Sequence, residues 1–174
     1  AMGSALTGAQ IRMYGGGDDT VDTIRKMFTS GFSIGEALEG MAARLACERI
    51  STKELKNLSA LLEDHANQPE IASGESYAPR TRDEDFHFSI IRAAECDRIE
   101  RLLMDEIYYQ LRIQRRKSSS QPGRAKAALK EHQLIVAALE SRDPDEAEKS
   151  MRTHLRNARI SAMSAWEADE AEAS

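Results

Sequence analysis

The chain has 174 residues, 30% of them charged, with a formal net charge of −5. That length suits one domain with a real core, and the acidic balance argues against a phosphate-binding surface, which needs clustered excess cations. Cys47 and Cys96 are isolated thiols rather than a disulfide framework and suggest a reducing cytoplasm, while the longest apolar run, Leu134–Leu139, is far too short to span a bilayer.

The opening Ala-Met-Gly-Ser reads as a cloning remnant, and residues 1–20 as a loose lead-in. After it the apolar period is helical throughout, with no strand pattern. A short helix is expected around Asp19–Phe28. A stronger one follows over Ser33–Glu48, its seam formed by Ile34, Ala37, Leu38, Met41, Ala42 and Leu45. Ser51 and Glu54 form a capping box opening a helix with Leu55, Leu58, Leu61 and Leu62. Residues 67–79 read as a polar linker. Further helices are expected over Arg80–Ala94, Asp97–Lys117 and Gln121–Ser141, the last with Pro122 in its first turn. Asp143 as N-cap, Pro144 and Glu146 start a final helix running to about Ala165. The expected fold is all-α, an antiparallel bundle of six to seven helices, with a domain over 21–168 and an acidic tail over 169–174.

Three of the four histidines fall on inward stripes of this pattern. On a wheel with Phe86 at 0°, Asp83 lies at about 60° and His87 at about 100°, inside the apolar arc of Ile90, Ile91 and Ala94. Glu84 falls at the edge of that arc, and Asp85 is expected to face solvent. His132 shares a stripe with Ala128, Ile135 and Leu139, and His154 with Met151, Leu155, Ala158 and Ala162. Each histidine alone reads most simply as a hydrogen-bonded core residue. Four inward polar groups on three helices are harder to place that way, since each left unpaired costs about 1–3 kcal/mol. Three imidazoles and a carboxylate suit a divalent ion such as Zn²⁺, Ni²⁺, Mn²⁺ or Fe²⁺. HExxH is absent and Glu84-x-x-His87 has no second copy, so neither a zinc protease nor a ferritin-like di-iron site fits. His65 continues the leucine stripe of its helix but stands at a helix end.

From Ser33 onward three stretches, EALEGMAARLACERIS, DEDFHFSIIRAA and PGRAKAALKEHQLIVAALESRDPDEAEKSMRTHLRNAR, resemble the FCD domain, the ligand-binding domain of GntR-type transcription regulators of the FadR subfamily. The resemblance implies that Asp83, His87, His132 and His154 are metal ligands. It also implies a homodimer that senses a small organic acid near the metal. Operator DNA would be bound through a winged helix-turn-helix domain not contained in these residues, of which GAQIR at 8–12 resembles the last strand. The chain departs at Gly35, where the family usually carries an effector-pocket arginine, and at Glu95-Cys96, where Gly-Asn is usual. Arg112, Arg115 and Arg124 are the candidate replacement cations, because arginine pairs well with carboxylates. Two other readings stand beside this one. One is a metalloenzyme with Glu84 or Glu131 as base, and the other a helical interaction module with structural histidines.

Overall fold

The structure, a computed structural model, describes residues 18–73 and 85–172. GAQIR, Asp83 and Glu84 lie outside these. The described residues form eight α-helical segments and no strand: α1 (Asp18–Arg49), α2 (Thr52–Ala66), α3 (Pro69–Ser73), α4 (Phe86–Ala93), α5 (Asp97–Arg101), α6 (Tyr108–Ser119), α7 (Arg124–Glu140) and α8 (Pro144–Glu172). α8 packs along α1, α6 and α7, and α1 also contacts α4. The all-α bundle expected from the periodicity is the observed fold. No helix of the described residues is long and apolar enough to cross a membrane.

α1 departs from expectation in two ways. It is one unbroken helix of 32 residues, not a short helix followed by a longer one. Its inward face is also only partly the expected seam, of which Ala42 is buried and Leu38 and Leu45 pack against the core. Ile34 and Met41 are 47% and 38% exposed, whereas Ala42, Ala43, Ala46 and Cys47 are buried. Small residues face inward because the neighbouring helices come close. A Cβ added at Gly35 would lie 2.9 Å from Leu111 Cδ2. Close approach of helices is favoured by residues that keep little beyond the backbone in the contact.

Other boundaries shift for local reasons. The capping box holds, with Ser51 Oγ accepting from Glu54 N and Ser51 N donating to Glu54 Oε2. The expected linker contains the one-turn α3. The helix expected from Asp97 is interrupted by a π-helical turn, Leu102–Glu106. That wider turn carries the inward stripe five residues on, from Leu103 to Tyr108. Pro122 precedes α7 rather than opening it, because Gly123 at φ 77° is the N-cap. Asp143 caps α8 as expected, its Oδ1 accepting from Glu146 N at 3.0 Å, and the helix continues well past Ala165 to Glu172.

Glu95, standing where the family usually has glycine, has φ 46°. Just past the end of α4 this is the left-handed position that favours glycine. A side chain there costs about 1–2 kcal/mol. Glu95→Gly is therefore expected to stabilise the protein by about 1 kcal/mol, read as a higher urea midpoint at unchanged m-value.

The main core joins α1, α2, α4, α6, α7 and α8 through Ala43, Leu58, Leu62, Phe86, Ile90, Leu111, Ile135, Leu139, Met151 and Leu155. Each of these side chains larger than alanine contributes about 1.5–3 kcal/mol on burial. The three histidines sit within this apolar packing.

Candidate metal centre

His87, His132 and His154 are all buried, and one ring nitrogen of each lies within 4.8 Å of the others. They arrive from α4, α7 and α8, and their stripe partners Ile90, Ala128, Ile135, Leu139, Met151, Leu155, Ala158 and Ala162 are buried as the wheel predicts. His132 Nε2 and His154 Nε2 are 3.3 Å apart. Two nitrogens each about 2.1 Å from one ion in tetrahedral geometry stand ~3.4 Å apart. The spacing therefore fits a shared cation. The His132 ring stacks on Phe86, with centroids 4.1 Å apart and planes 18° apart. That contact fixes the imidazole plane and keeps water from one face.

Behind two of the rings stand carboxylates. Glu39 Oε2 lies 2.6 Å from His87 Nδ1, and Glu131 Oε2 lies 2.6 Å from His154 Nδ1. Each glutamate is in turn held by an arginine. Arg115 Nη2 donates to both oxygens of Glu39 at 2.9 Å. Arg124 Nη2 donates to Glu131 Oε2 at 2.7 Å, and Asn157 Nδ2 donates to Glu131 Oε1 at 2.8 Å. Two relays, Arg115–Glu39–His87 and Arg124–Glu131–His154, thus converge on one point.

The electrostatics agree with this geometry. Burial would raise the Glu39 pKa, but the charges of Arg115 and His87 and their hydrogen bonds outweigh it and carry it down to about 2. Burial likewise opposes ionisation of Glu131, yet hydrogen bonds from His154 and Arg124 lower its pKa. Burial pushes His154 down to about 4, against the upward pull of Glu131. His132 is driven well below the usual histidine range, first by burial and then by His154 and His87. Both are therefore neutral at pH 7, the form that ligates metals. An ionised carboxylate only accepts, so the neutral His154 must carry its proton on Nδ1 and its lone pair on Nε2. A carboxylate behind a ligating histidine is the usual second layer of a metal site. The donor set fits a borderline divalent ion.

Asp85 corrects the wheel. It was expected to face solvent but is 2% exposed. The helical wheel does not apply to it because it is the N-cap of α4, with extended backbone at φ −86° and ψ 109°. Its Oδ1 accepts from His87 N at 3.0 Å and Phe88 N at 3.3 Å, and its Oδ2 accepts from Arg115 Nη1 at 3.3 Å. Asp85 thereby fixes the start of the helix that carries His87 and joins it to the Arg115 relay. The helical i, i+4 argument runs only from Phe86 onward, and Asp83 lies outside the described residues.

The three candidate arginines differ. Arg112 is exposed, its guanidinium 5.7 Å from the Tyr108 ring centroid. The Arg115 side chain is 16% exposed and committed to Glu39 and Asp85. The Arg124 side chain is 8% exposed, and its Nε and Nη1 have no hydrogen-bond partner among the described residues. His65 is also buried, at the end of α2, near enough that a charge on it would act on His132. The surface groove between α2 and α7, about 580 Å³ and lined by Lys56, Glu63, Glu140 and Arg142 among others, includes none of the histidines.

Sequence reasoning missed Glu39 as a site residue. Its signal was an acidic residue inside a small-residue stripe, Gly35, Glu39, Ala42, Ala43 and Ala46, at helical spacing. A buried carboxylate demands a cationic or hydrogen-bonding partner.

An all-helical bundle around a buried histidine centre defines the class of domain. The family model of the FCD domain matches residues 32–157, and the chain belongs to that family, the regulatory ligand-binding type of domain in GntR-type regulators. Comparison of the chain with curated proteins gives no match.

Proposed function

We propose that residues 21–168 are the effector-binding and dimerisation domain of a metabolite-responsive, cytoplasmic transcription regulator, with 1–20 a lead-in and 169–174 an acidic tail. A divalent ion (Zn²⁺, Ni²⁺, Mn²⁺ or Fe²⁺) would be held by His87, His132 and His154, with Asp83 as the carboxylate ligand. Operator DNA would be bound through a winged helix-turn-helix domain outside these residues. The observation that carries the reading is the convergence of three buried imidazole nitrogens within 4.8 Å. When bound, the ion would tie α4, α7 and α8 together and attract a small organic acid to its open positions. Of the candidate anchors, Arg124 is favoured by its free Nε and Nη1 donors, because buried N–H groups call for an acceptor. Arg115 has only Nε unpartnered among the described residues, its Nη groups being held by Glu39 and Asp85, and Arg112 faces solvent.

The homodimer has support from α1. Met27, Ile34 and Met41 recur every seven residues along its outer side and are 60%, 47% and 38% exposed, the spacing of a helix–helix seam. A metalloenzyme is the second reading, with Glu84 or Glu131 as its base. Both oxygens of Glu131 are occupied by His154, Arg124 and Asn157, which disfavours it as base, and Glu84 lies outside the described residues.

Elemental analysis and native mass spectrometry of untreated protein test the proposal together. The expected species is a dimer of about 39 kDa, twice the 19.3 kDa chain, with one divalent ion per chain and a co-purified acid. Metal-free protein running at the mass of one chain would overturn it. Turnover of an organic acid, abolished by His132→Ala, would establish the enzyme instead.

A further inference from the structure

We propose that Glu39 and Glu131 are the positioning residues of the histidine centre, each holding a ring proton on Nδ1 so that Nε2 of His87 and of His154 presents its lone pair to a shared cation. The inference rests on the metal reading above and assigns roles to two residues outside the ligand set. Both glutamates meet their histidine at Nδ1, and both contacts are 2.6 Å. With Nδ1 so occupied, Nε2 is the nitrogen left to ligate on either ring.

The arginines make the arrangement directional. Arg115 donates to both oxygens of Glu39, so neither position tolerates a donor in place of an acceptor. Arg124 and Asn157 do the same for the two oxygens of Glu131. Neither glutamate can therefore turn a protonated oxygen toward its histidine without facing a donor. His132 Nε2 lies 3.3 Å from His154 Nε2. With the lone pair of His154 fixed, the metal-free form places the shared proton on His132 Nε2.

Long-range ¹H–¹⁵N spectra of the metal-free 174-residue chain, with ¹⁵N-labelled histidine, read the tautomer of each ring at pH 7. The expected result is the Nδ1–H form at His87 and His154, the opposite of what a free histidine side chain prefers in water. A Co²⁺ titration followed by the metal's visible absorption then compares wild type with Glu39→Gln and Glu131→Gln, an amide offering one acceptor where the carboxylate offers two. Binding weaker by about 10–100-fold in each is expected. Should Glu39→Gln fail to fold by circular dichroism, Glu131→Gln, at a less enclosed position, decides the affinity arm. Wild type that binds Co²⁺ while the glutamine variants bind equally well, or an Nε2–H form at either ring, overturns the positioning role alone. Wild type that binds no Co²⁺ overturns the metal reading and the positioning role with it.

Discussion

Metal-stripped protein given Zn²⁺ at about a hundred times its dissociation constant should gain about 2.7 kcal/mol of stability. For a domain of this size that is a rise in Tm of about 5–11 °C. His87→Ala, His132→Ala and His154→Ala should each start from a lower Tm and show no rise. The lower start follows from packing. His132 fills space under Phe86, and removing His87 or His154 takes one hydrogen-bond donor from Glu39 or Glu131. The lost response follows from ligation, because the ion then has two imidazoles where it had three. Only the second effect separates a metal centre from a cluster of structural histidines. Differential scanning fluorimetry with and without Zn²⁺ measures both. Retention of the full rise in all three variants would place the ion elsewhere.

The histidines were legible because each sits inside a regular helix, where a period of 3.6 residues maps sequence onto one face. α4, α7 and α8 obey that rule, and every stripe partner named for them is buried. The rule failed where its premise failed. Asp85 stands at a helix start, with extended backbone, so its direction is set by capping rather than by the wheel. On α1 the premise held but the inference from size did not. The helix lies so close to its neighbours that Gly35, Ala42, Ala43 and Ala46 face inward, while Ile34 and Met41 are left outside. A hydrophobicity scale ranks the isoleucine and methionine above glycine and alanine and so turns the expected seam partly outward, although its Leu38, Ala42 and Leu45 do pack into the core. Glu39 was hidden by the same inversion. The departure at Gly35 also has a physical reading, since a longer side chain there would have to displace Leu111 and would lie beside Glu39. In this chain Arg115 supplies the cation against Glu39.

Acid should weaken the fold in two stages, the first beginning above the carboxylate range. His154 titrates at about 4 in the fold against an ordinary 6.5. Between those values the unfolded chain holds a proton that the folded one does not, so stability falls as pH falls through the window. Those 2.5 pH units correspond to about 3 kcal/mol, and His132 adds to the loss in the same direction. The second stage belongs to Glu39, whose folded pKa of about 2 lies below the ordinary 4.5. Its contribution, also about 3 kcal/mol, is complete above the unfolded value and disappears as pH drops from 4.5 toward 2. Urea titrations of metal-free protein at pH 7.5 and pH 5 test the first stage. From His154 alone the stability at pH 5 should be lower by about 2 kcal/mol, and His154→Leu should flatten that slope while leaving the second stage in place. The two stages have one origin. Burial keeps His132 and His154 neutral, and Arg115 keeps Glu39 charged. A wild-type profile flat between pH 7.5 and pH 5 would mean that His132 and His154 take up protons within the fold. Their lone pairs would then be open to protons rather than reserved for a cation.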